Sequence, residues 1–268
     1  MQIDERMKKY EYVTRNYLTH RTPVIIRLDG RAFHTFTKGM KKPFDSILVD
    51  TMQETMLELC KNITNCKFGY VQSDEISLLL LDTDTTATQP WFNNNISKLI
   101  SVTASMATLY FNKFFENNLR NKILCDEQFD SLPYENKMGT ALFDCRAFNI
   151  PMEEINNYFI WRQQDCIRNS IQMVARANFS HKELQNLNCN QVIEKMKENK
   201  INYEKAFPTY LRRGSCAYKV HINFQKISEH VATGYRFREQ INKQEWIVDE
   251  DMPVLTENQF FIKERILV

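Results

Sequence analysis

Apolar and polar positions along residues 1–150 follow two repeats, one typical of strands and one typical of helices. Short runs rich in β-branched and aromatic residues predict strands at 22–28, 67–72, 76–81 and 140–150. Apolar residues spaced three or four apart predict helices at 6–20, 45–60 and 96–119, with a loop at 82–94. After the first short helix the order is strand, helix, two strands, helix and strand. This order predicts an α+β fold of the ferredoxin-like palm type, βαββαβ.

The pattern changes after Pro151. A long helix is predicted at 153–179, and Ser180 and Glu183 have the spacing of a capping box for the next helix. Residues 205–226 carry lysines and arginines but no acid, and 232–266 alternate as a small exposed sheet does. We therefore predict a catalytic palm domain at 1–150 and a helical, small-sheet extension at 151–268, which share one compact body.

Composition narrows the class of protein without identifying it. The 268 residues have a formal net charge of +2, so a basic surface would have to be local. Six glycines and no glycine-rich phosphate motif argue against a loop that cradles phosphates with its backbone. The seven cysteines are scattered and include no C-x-x-C, which favours reduced thiols and a cytoplasmic location. No apolar run is long enough for a membrane span, and the N-terminal residues resemble no signal peptide.

Acidic residues interrupt the apolar runs at two places. Asp29-Gly30 follows the first strand, and Asp74-Glu75 precedes another. Such pairs are most often ordinary turns. A carboxylate beside a buried strand is costly, however, unless it is paired or holds a metal. Two strand-end aspartates and a backbone carbonyl suit magnesium, and two such ions can drive nucleotidyl transfer. Side-chain alternation puts Asp74 and Glu75 on opposite faces, so we expect only one to join Asp29 and choose Asp74, with Ser73 and Glu75 sharing the other face.

Cationic and donor residues surround the first acid. Arg27, Arg31 and His34 bracket Asp29, and Lys42 stands at the start of a predicted helix. Each alone is most simply an exposed side chain. Beside a metal site, the same donors are what a triphosphate requires.

Other polar features have two interpretations. Asp144 and Arg146 form either a structural ion pair or a ligand for a triphosphate. Trp161 and the arginines of its helix are either RNA contacts or core and solvated surface. The stretch 205–220 interleaves aromatic residues with cations, as nucleic-acid surfaces do. A cysteine nucleophile has no support, because no cysteine lies in a local catalytic signature.

Five motifs, in order along the chain, resemble the tRNA(His) guanylyltransferase family. They are "RLDGRAFHTF", "KKPFD", "GYVQSDEISLLL", "FDCRAFNIP" and "WRQQDC". The resemblance implies a polymerase-like palm in which two Mg²⁺ ions sit on Asp29, Asp74 and the carbonyl of Gly30. It implies activation of a tRNA 5′-phosphate by ATP, or sometimes GTP, followed by attack of the 3′-hydroxyl of an incoming nucleoside triphosphate. We take Asp29, Asp74 and Glu75 as candidate catalytic residues. The candidate nucleotide-binding residues are Asp29, Gly30, Arg31, Ala32, Phe33, His34, Lys42, Ser73 and Asp74.

The resemblance also has one departure. Guanylyltransferases of the family carry His-Ile-Asn-Asn directly after the W-R-Q-x-D-C motif, as a reader of the histidine anticodon, whereas this chain has Ile167 to Ser170, "IRNS". In this it resembles the guanylyltransferase-like proteins that repair truncated tRNA 5′ ends by templated 3′–5′ addition. The resemblance further implies a tRNA partner and a homotetramer. Candidate contacts to RNA or phosphate are Arg27, Arg146, Arg168, Arg212 and Arg213.

Four functions remain open at this point. Template-dependent repair of tRNA 5′ ends leads. The alternatives are a tRNA(His) guanylyltransferase that adds G at position −1 and reads its tRNA with other residues, a non-catalytic palm that binds RNA or nucleotide, and a cyclase-like palm enzyme. The acid pair argues against the non-catalytic palm, because a binding module has no need of two costly acids.

Overall fold

One antiparallel sheet of six strands runs through the molecule. The structure is a computed structural model that describes residues 2–230 and 235–266. The strands are β1 (Val24–Gly30), β2 (Cys66–Gln72), β3 (Glu75–Leu80), β4 (Phe143–Asn149), β5 (Ser215–His230) and β6 (Tyr235–Asp249). They lie in the order β4-β1-β3-β2-β5-β6. The first four have the ferredoxin-like order, so the predicted α+β palm fold is confirmed.

Helices cover the sheet and fill the C-terminal part. They are α1 (Ile3–Tyr12), α2 (Phe33–Phe36), α3 (Ser46–Asn62), α4 (Ile96–Cys125), α5 (Leu132–Glu135), α6 (Ile155–Asn178), α7 (His181–Leu184), α8 (Cys189–Glu198), α9 (Tyr203–Ala206), α10 (Thr209–Arg213) and α11 (Phe261–Ile266). Short 3₁₀ helices lie at Trp91–Asn94 and Met152–Glu154. None of the helices in the described residues combines the length and apolarity needed to cross a bilayer.

The strands of the palm are apolar on both faces because helices pack on both. In β1, Val24, Ile26 and Leu28 join the core beneath α3 and α4. Ile25 joins a second core that includes residues of α6 and α11. Alternation along the strand therefore puts Arg27 and Asp29 on the α6 face with Ile25.

Capping residues fix where the two palm helices begin. Asp45 caps α3 by accepting a hydrogen bond from the backbone N–H of Leu48 at 3.1 Å. Its other carboxylate oxygen accepts from the N–H of Lys41 at 3.0 Å and from the Tyr134 hydroxyl at 2.6 Å. Asn95 caps α4 in the same way. The buried Asp45 therefore ties the loop that carries Lys42 to the start of α3.

A third core lies between α6 and α8. Ile171, Val174 and Ala175 of α6 pack with Val192 and Met196 of α8. The capping box expected at Ser180 and Glu183 is present and begins α7. This cluster packs the C-terminal half of α6 against α8, while the N-terminal half of α6 packs on the sheet.

Several predicted boundaries were wrong. The first helix ends at Tyr12, not at residue 20, because the chain from residue 16 instead bonds to 94–96, with a bridge between Tyr17 and Asn95. Helix α4 runs on to Cys125. The tail does not form a separate small sheet, since β6 pairs with β5 and β5 pairs with β2, which extends the main sheet. Residues 1, 231–234 and 267–268 of the two predicted domains lie outside the described residues, and the division of the chain at residue 150 stays a prediction.

Candidate active site

Three acids meet on one face of the sheet. Asp29, at the end of β1, lies directly opposite Glu75 of β3 and Asp144 of β4 in the strand register. Residues opposite each other in an antiparallel pair project from the same face. The three carboxylates therefore share the face that α6 covers.

The turn between β2 and β3 brings a fourth acid to the same strand end. Gln72 and Glu75 close a turn of two residues, Ser73 and Asp74. Ser73 has a φ of 49°, the left-handed conformation that such tight turns require. The backbone N–H of Gly30 donates to the carbonyl of Asp74 at 3.0 Å. The two acids chosen from the sequence, Asp29 and Asp74, therefore lie on adjoining segments of backbone.

The expected orientation of Glu75 was wrong. Alternation was applied to Asp74 and Glu75 as if both lay in one strand, but Asp74 lies in the turn and Glu75 begins β3. The register then puts Glu75 on the face of Asp29, so the site has room for both acids rather than one.

Burial raises the pKa of all three candidate catalytic carboxyls. For Asp29 the pKa is raised by burial and then by Asp144, against the opposing effects of Arg27, Arg146 and Arg162. The pKa of Asp74 is raised by burial and by Asp29, and the hydrogen bond from Ser73 Oγ, at 3.0 Å, opposes this. The pKa of Glu75 is raised by burial, against the effect of Arg162. Burial, the largest cause in each case, therefore makes ionisation of all three carboxyls costly.

Arg162 of α6 is the residue that sequence reasoning missed. Its Nη1 lies 2.7 Å from Oε2 of Glu75, and both side chains are nearly buried, at 7% and 12% exposure. Its guanidinium also stacks on Trp161 at 3.6 Å and lies 3.7 Å from a carboxylate oxygen of Asp165. The helical arginines were grouped as RNA contacts or solvated surface, and only the packing of α6 on the sheet distinguishes this one. Oε1 of Glu75 and Nε of Arg162 are buried without a hydrogen-bond partner.

The segment after β1 divides into buried and exposed positions. Ala32 has a φ of 55° and begins α2, while Arg31 and His34 are exposed beside it. The ring of Phe33 is buried against Phe36, Phe111 and Phe143, so its side chain supports the turn and does not face a ligand.

A close backbone approach explains Gly30. A Cβ at this position would lie 2.3 Å from the ring of Phe33. Because glycine has no side chain, the backbone at Gly30 can pass close to the Phe33 ring.

The remaining predicted cations differ in what they already contact. Lys42 is exposed next to the start of α3. Arg27 lies 5.8 Å over the ring of Trp161, and Arg146 makes a loose ion pair with Asp144 at 4.0 Å, with both side chains more than half exposed. Such an exposed pair contributes about 0–1 kcal/mol, so the Arg146 head is free to change partner.

The candidates of the C-terminal part are more constrained. Arg212 donates from Nε to the carbonyl of Phe207 at 2.8 Å, and Arg213 donates from Nη1 to that of Met252 at 3.4 Å. Arg168 is exposed and pairs with Asp165. Their roles as RNA contacts stay predictions.

The donor set at the strand end can be compared with what a metal needs. Within 2–230 and 235–266, no group of three or more His, Cys, Asp or Glu side chains is arranged to hold a metal ion. A site here would use two carboxylates with a backbone carbonyl, which are the hard oxygen ligands that Mg²⁺ takes together with water. A bound cation would offset the cost of keeping Asp29 and Asp74 ionised in their partly buried positions.

A palm sheet that gathers acids at one strand end defines the class of palm-type nucleotidyltransferases. Comparison with known proteins makes this specific. The family model described as "Thg1: tRNAHis guanylyltransferase" matches residues 4–151. The chain belongs to the tRNA(His) guanylyltransferase family.

Solved and curated relatives agree with this assignment. A bacterial tRNA(His) guanylyltransferase-like protein, solved in complex with ATP, is 40% identical with a TM-score of 0.79, and 99% of each chain is covered. A second structure of that description, in complex with GTP, is 36% identical with a TM-score of 0.75. Uncharacterized protein R259 of Acanthamoeba polyphaga mimivirus is 29% identical over 86% of this chain and 82% of its own. The tRNA(His) guanylyltransferase 1 of Arabidopsis thaliana is 26% identical over 81% of this chain, which spans only 38% of that protein.

Proposed function

We propose that this protein is a template-dependent 3′–5′ nucleotidyltransferase that repairs truncated tRNA 5′ ends. The observation that carries the proposal is the proximity of Asp29 and Asp74 in a chain of this family. The backbone hydrogen bond from Gly30 N–H to the Asp74 carbonyl holds their two segments together. The match to a guanylyltransferase-like protein over 99% of both chains supports it further.

Two group transfers would take place at this site. In the first, an oxygen of the tRNA 5′-monophosphate attacks the α-phosphorus of ATP, and pyrophosphate leaves. In the second, the 3′-hydroxyl of an incoming nucleoside triphosphate attacks the activated 5′-phosphorus, and AMP leaves. Both transfers place negative charge on the phosphoryl oxygens and the leaving group, beside carboxylates that repel it.

Asp29, Asp74 and the carbonyl of Gly30 would hold two Mg²⁺ ions. When bound, these supply the charge compensation and the activation of the attacking oxygen that phosphoryl chemistry needs. Lys42, Arg31 and His34 are exposed and would contact the triphosphate. Arg162 holds Glu75 beside Asp29 through its 2.7 Å bond and opposes the rise in the pKa of Glu75 that burial causes.

The segment that replaces the anticodon reader supports repair over tRNA(His)-specific addition. Ser170 is buried and bonds to the Tyr203 hydroxyl at 2.5 Å and to the carbonyl of Arg212 at 3.2 Å. Ile167 packs against the third core. These two side chains face the protein, so only Arg168 and Asn169 of the four are placed to contact RNA.

A direct assay tests this function. The protein is incubated with labelled, 5′-monophosphorylated tRNA that lacks its first nucleotide, with ATP, all four nucleoside triphosphates and Mg²⁺. We expect restoration of full length on tRNAs with any anticodon. Extension of tRNA(His) alone, by a G at position −1, would support the guanylyltransferase alternative. A cyclic product from ATP or GTP alone would indicate a cyclase.

A homotetramer is proposed for the assembly. Ile3, Met7 and Tyr10 form one exposed apolar stripe on α1, which has no buried residue. Such a stripe is typical of a surface that a second copy covers. Light scattering should show a tetramer that Met7→Lys weakens. We also propose a cytoplasmic location, since all seven cysteines are free thiols.

A further inference from the structure

An open groove begins at the catalytic turn and follows helix α6. Its volume is about 650 Å³, within the range of roughly 300–1,000 Å³ that is usual for ligand sites. We call it the α6–α8 groove; its polar lining consists of Ser73, Arg168, Asn169, Gln172, Arg176 and Asn188. Ser73 belongs to the same two-residue turn as Asp74, so one end of the groove lies beside the candidate active site.

The lining has the chemistry of a single-stranded nucleic-acid site. It includes two arginines, and no acid lies among its described lining residues. The Arg168 side chain is 64% exposed, and its ion-pair partner among the described residues is Asp165, which also lies 3.7 Å from Arg162. Arg176 is exposed and makes no ion pair within the part of the chain that the structure describes.

The amide side chains add a second kind of contact. Asn169, Gln172 and Asn188 offer donors and acceptors, which suit the edges of unpaired bases. Met173 and Leu187 supply apolar surface for base faces. Arg168 and Arg176 are separated by eight residues of helix, or about 12 Å along its axis, enough to contact more than one phosphate.

We propose that the α6–α8 groove binds the single-stranded 3′ extension of the tRNA substrate. This rests on the proposed function, in which the reacting 5′ end lies at the acids. In a tRNA acceptor stem the opposing strand continues past that end as an unpaired extension. The α6–α8 groove starts at the Ser73-Asp74 turn and is lined by cations and amides. It therefore lies where this strand would extend beyond the candidate active site. Holding it there would keep the templating strand in register with the 5′ end.

Binding measurements test the proposal without any catalysis. The substrates are an acceptor-stem minihelix with a shortened 5′ strand and an intact 3′ extension, and the same minihelix trimmed flush. Dissociation constants are measured by fluorescence anisotropy at several salt concentrations, without nucleotide. The variants are Arg168→Ala, Arg176→Ala and the double variant. The matched control is Arg120→Ala, which removes an exposed arginine of α4.

On the minihelix with its extension, we expect the double variant to bind at least about tenfold more weakly. The slope of log affinity against log salt is negative, and it should become less negative by about 0.7 for each arginine removed, as for single-strand phosphate contacts. On the trimmed minihelix the variants should bind like the wild-type protein. Arg120→Ala should leave the affinity for both substrates unchanged.

Three outcomes would overturn the proposal. They are unaltered affinity of the double variant for the extended minihelix, equal weakening on both minihelices, or, when full-length tRNA is measured in parallel, weakening on that substrate alone. The last would place another part of the tRNA, such as the anticodon arm, in the groove. If the binding measurements give the expected pattern but this protein adds no nucleotide in the activity assay, the proposed function fails while the groove assignment stands.

Discussion

Replacing Arg162 by methionine tests how the site is held together. The substitution keeps most of the side-chain volume and removes the cation that lies 2.7 Å from Glu75. Removing one partner of a buried pair costs about 3–5 kcal/mol, because the remaining charge stays buried without compensation. At about 2–4 °C per kcal/mol for a protein of this size, the melting temperature should fall by roughly 6–20 °C.

The effect should depend on pH in a known direction. Burial already raises the pKa of Glu75, and Arg162 opposes this, so the variant raises that pKa further above its value in the unfolded chain. Between the two pKa values the folded state holds the extra proton, and the free energy of unfolding therefore increases as the pH falls through this range. The deficit of Arg162→Met should thus be larger at pH 7 than at pH 5.

The double variant Arg162→Met with Glu75→Gln is the control. With neither charge left in the buried site, it should regain much of the lost stability. Chemical denaturation of the wild type, Arg162→Met, Glu75→Gln and the double variant gives the coupling energy. Unchanged stability of Arg162→Met, or a deficit that is the same at both pH values, would refute the reasoning.

Three further predictions concern the chemistry. Asp29→Asn and Asp74→Asn should each abolish nucleotide addition, while their melting temperatures stay the same or rise, because each removes an acid whose pKa burial raises; a variant with near wild-type turnover in magnesium would refute the metal assignment. Magnesium should raise the melting temperature of the wild-type protein but not of these variants, and its affinity should weaken toward acid pH, where protons compete for the same carboxylates; equal magnesium stabilisation in the variants contradicts this. Lys42→Ala should impair activation of the 5′-monophosphate, and tRNA with a preformed 5′-triphosphate should bypass most of the defect; a defect as severe on that substrate would make Lys42 a structural residue.

The palm could be predicted from the sequence because the apolar patterns of its strands and helices match the way these elements pack. The apolar run of β1 and the helical spacing of apolar residues in α3 and α4 are local signals, and the sheet order follows from them by the rules of the motif. The proximity of Asp29 and Asp74 was inferred from strand ends alone, and the structure shows it.

What the sequence did not predict depends on contacts distant in the chain. The orientation of Glu75 required the turn to be placed at Ser73 and Asp74 rather than within a strand. The partnership of Arg162 with Glu75 required the packing of α6 on the sheet. The continuation of the sheet into β5 and β6 was missed because the basic stretch was interpreted by its charge, although Cys216 and Ala217 are buried strand residues.

The choice of nucleotide by the template strand is the most direct test of the central claim. The substrate is 5′-monophosphorylated tRNA that lacks its first nucleotide, with the opposing base of the 3′ strand either C or A. In the proposed function the templating base selects the incoming nucleotide by base pairing, and phosphate contacts from the protein only position the strand. Changing the templating base from C to A should switch the added nucleotide from G to U, and this preference should persist at salt concentrations that weaken binding. Addition of G whatever the opposing base would contradict the account.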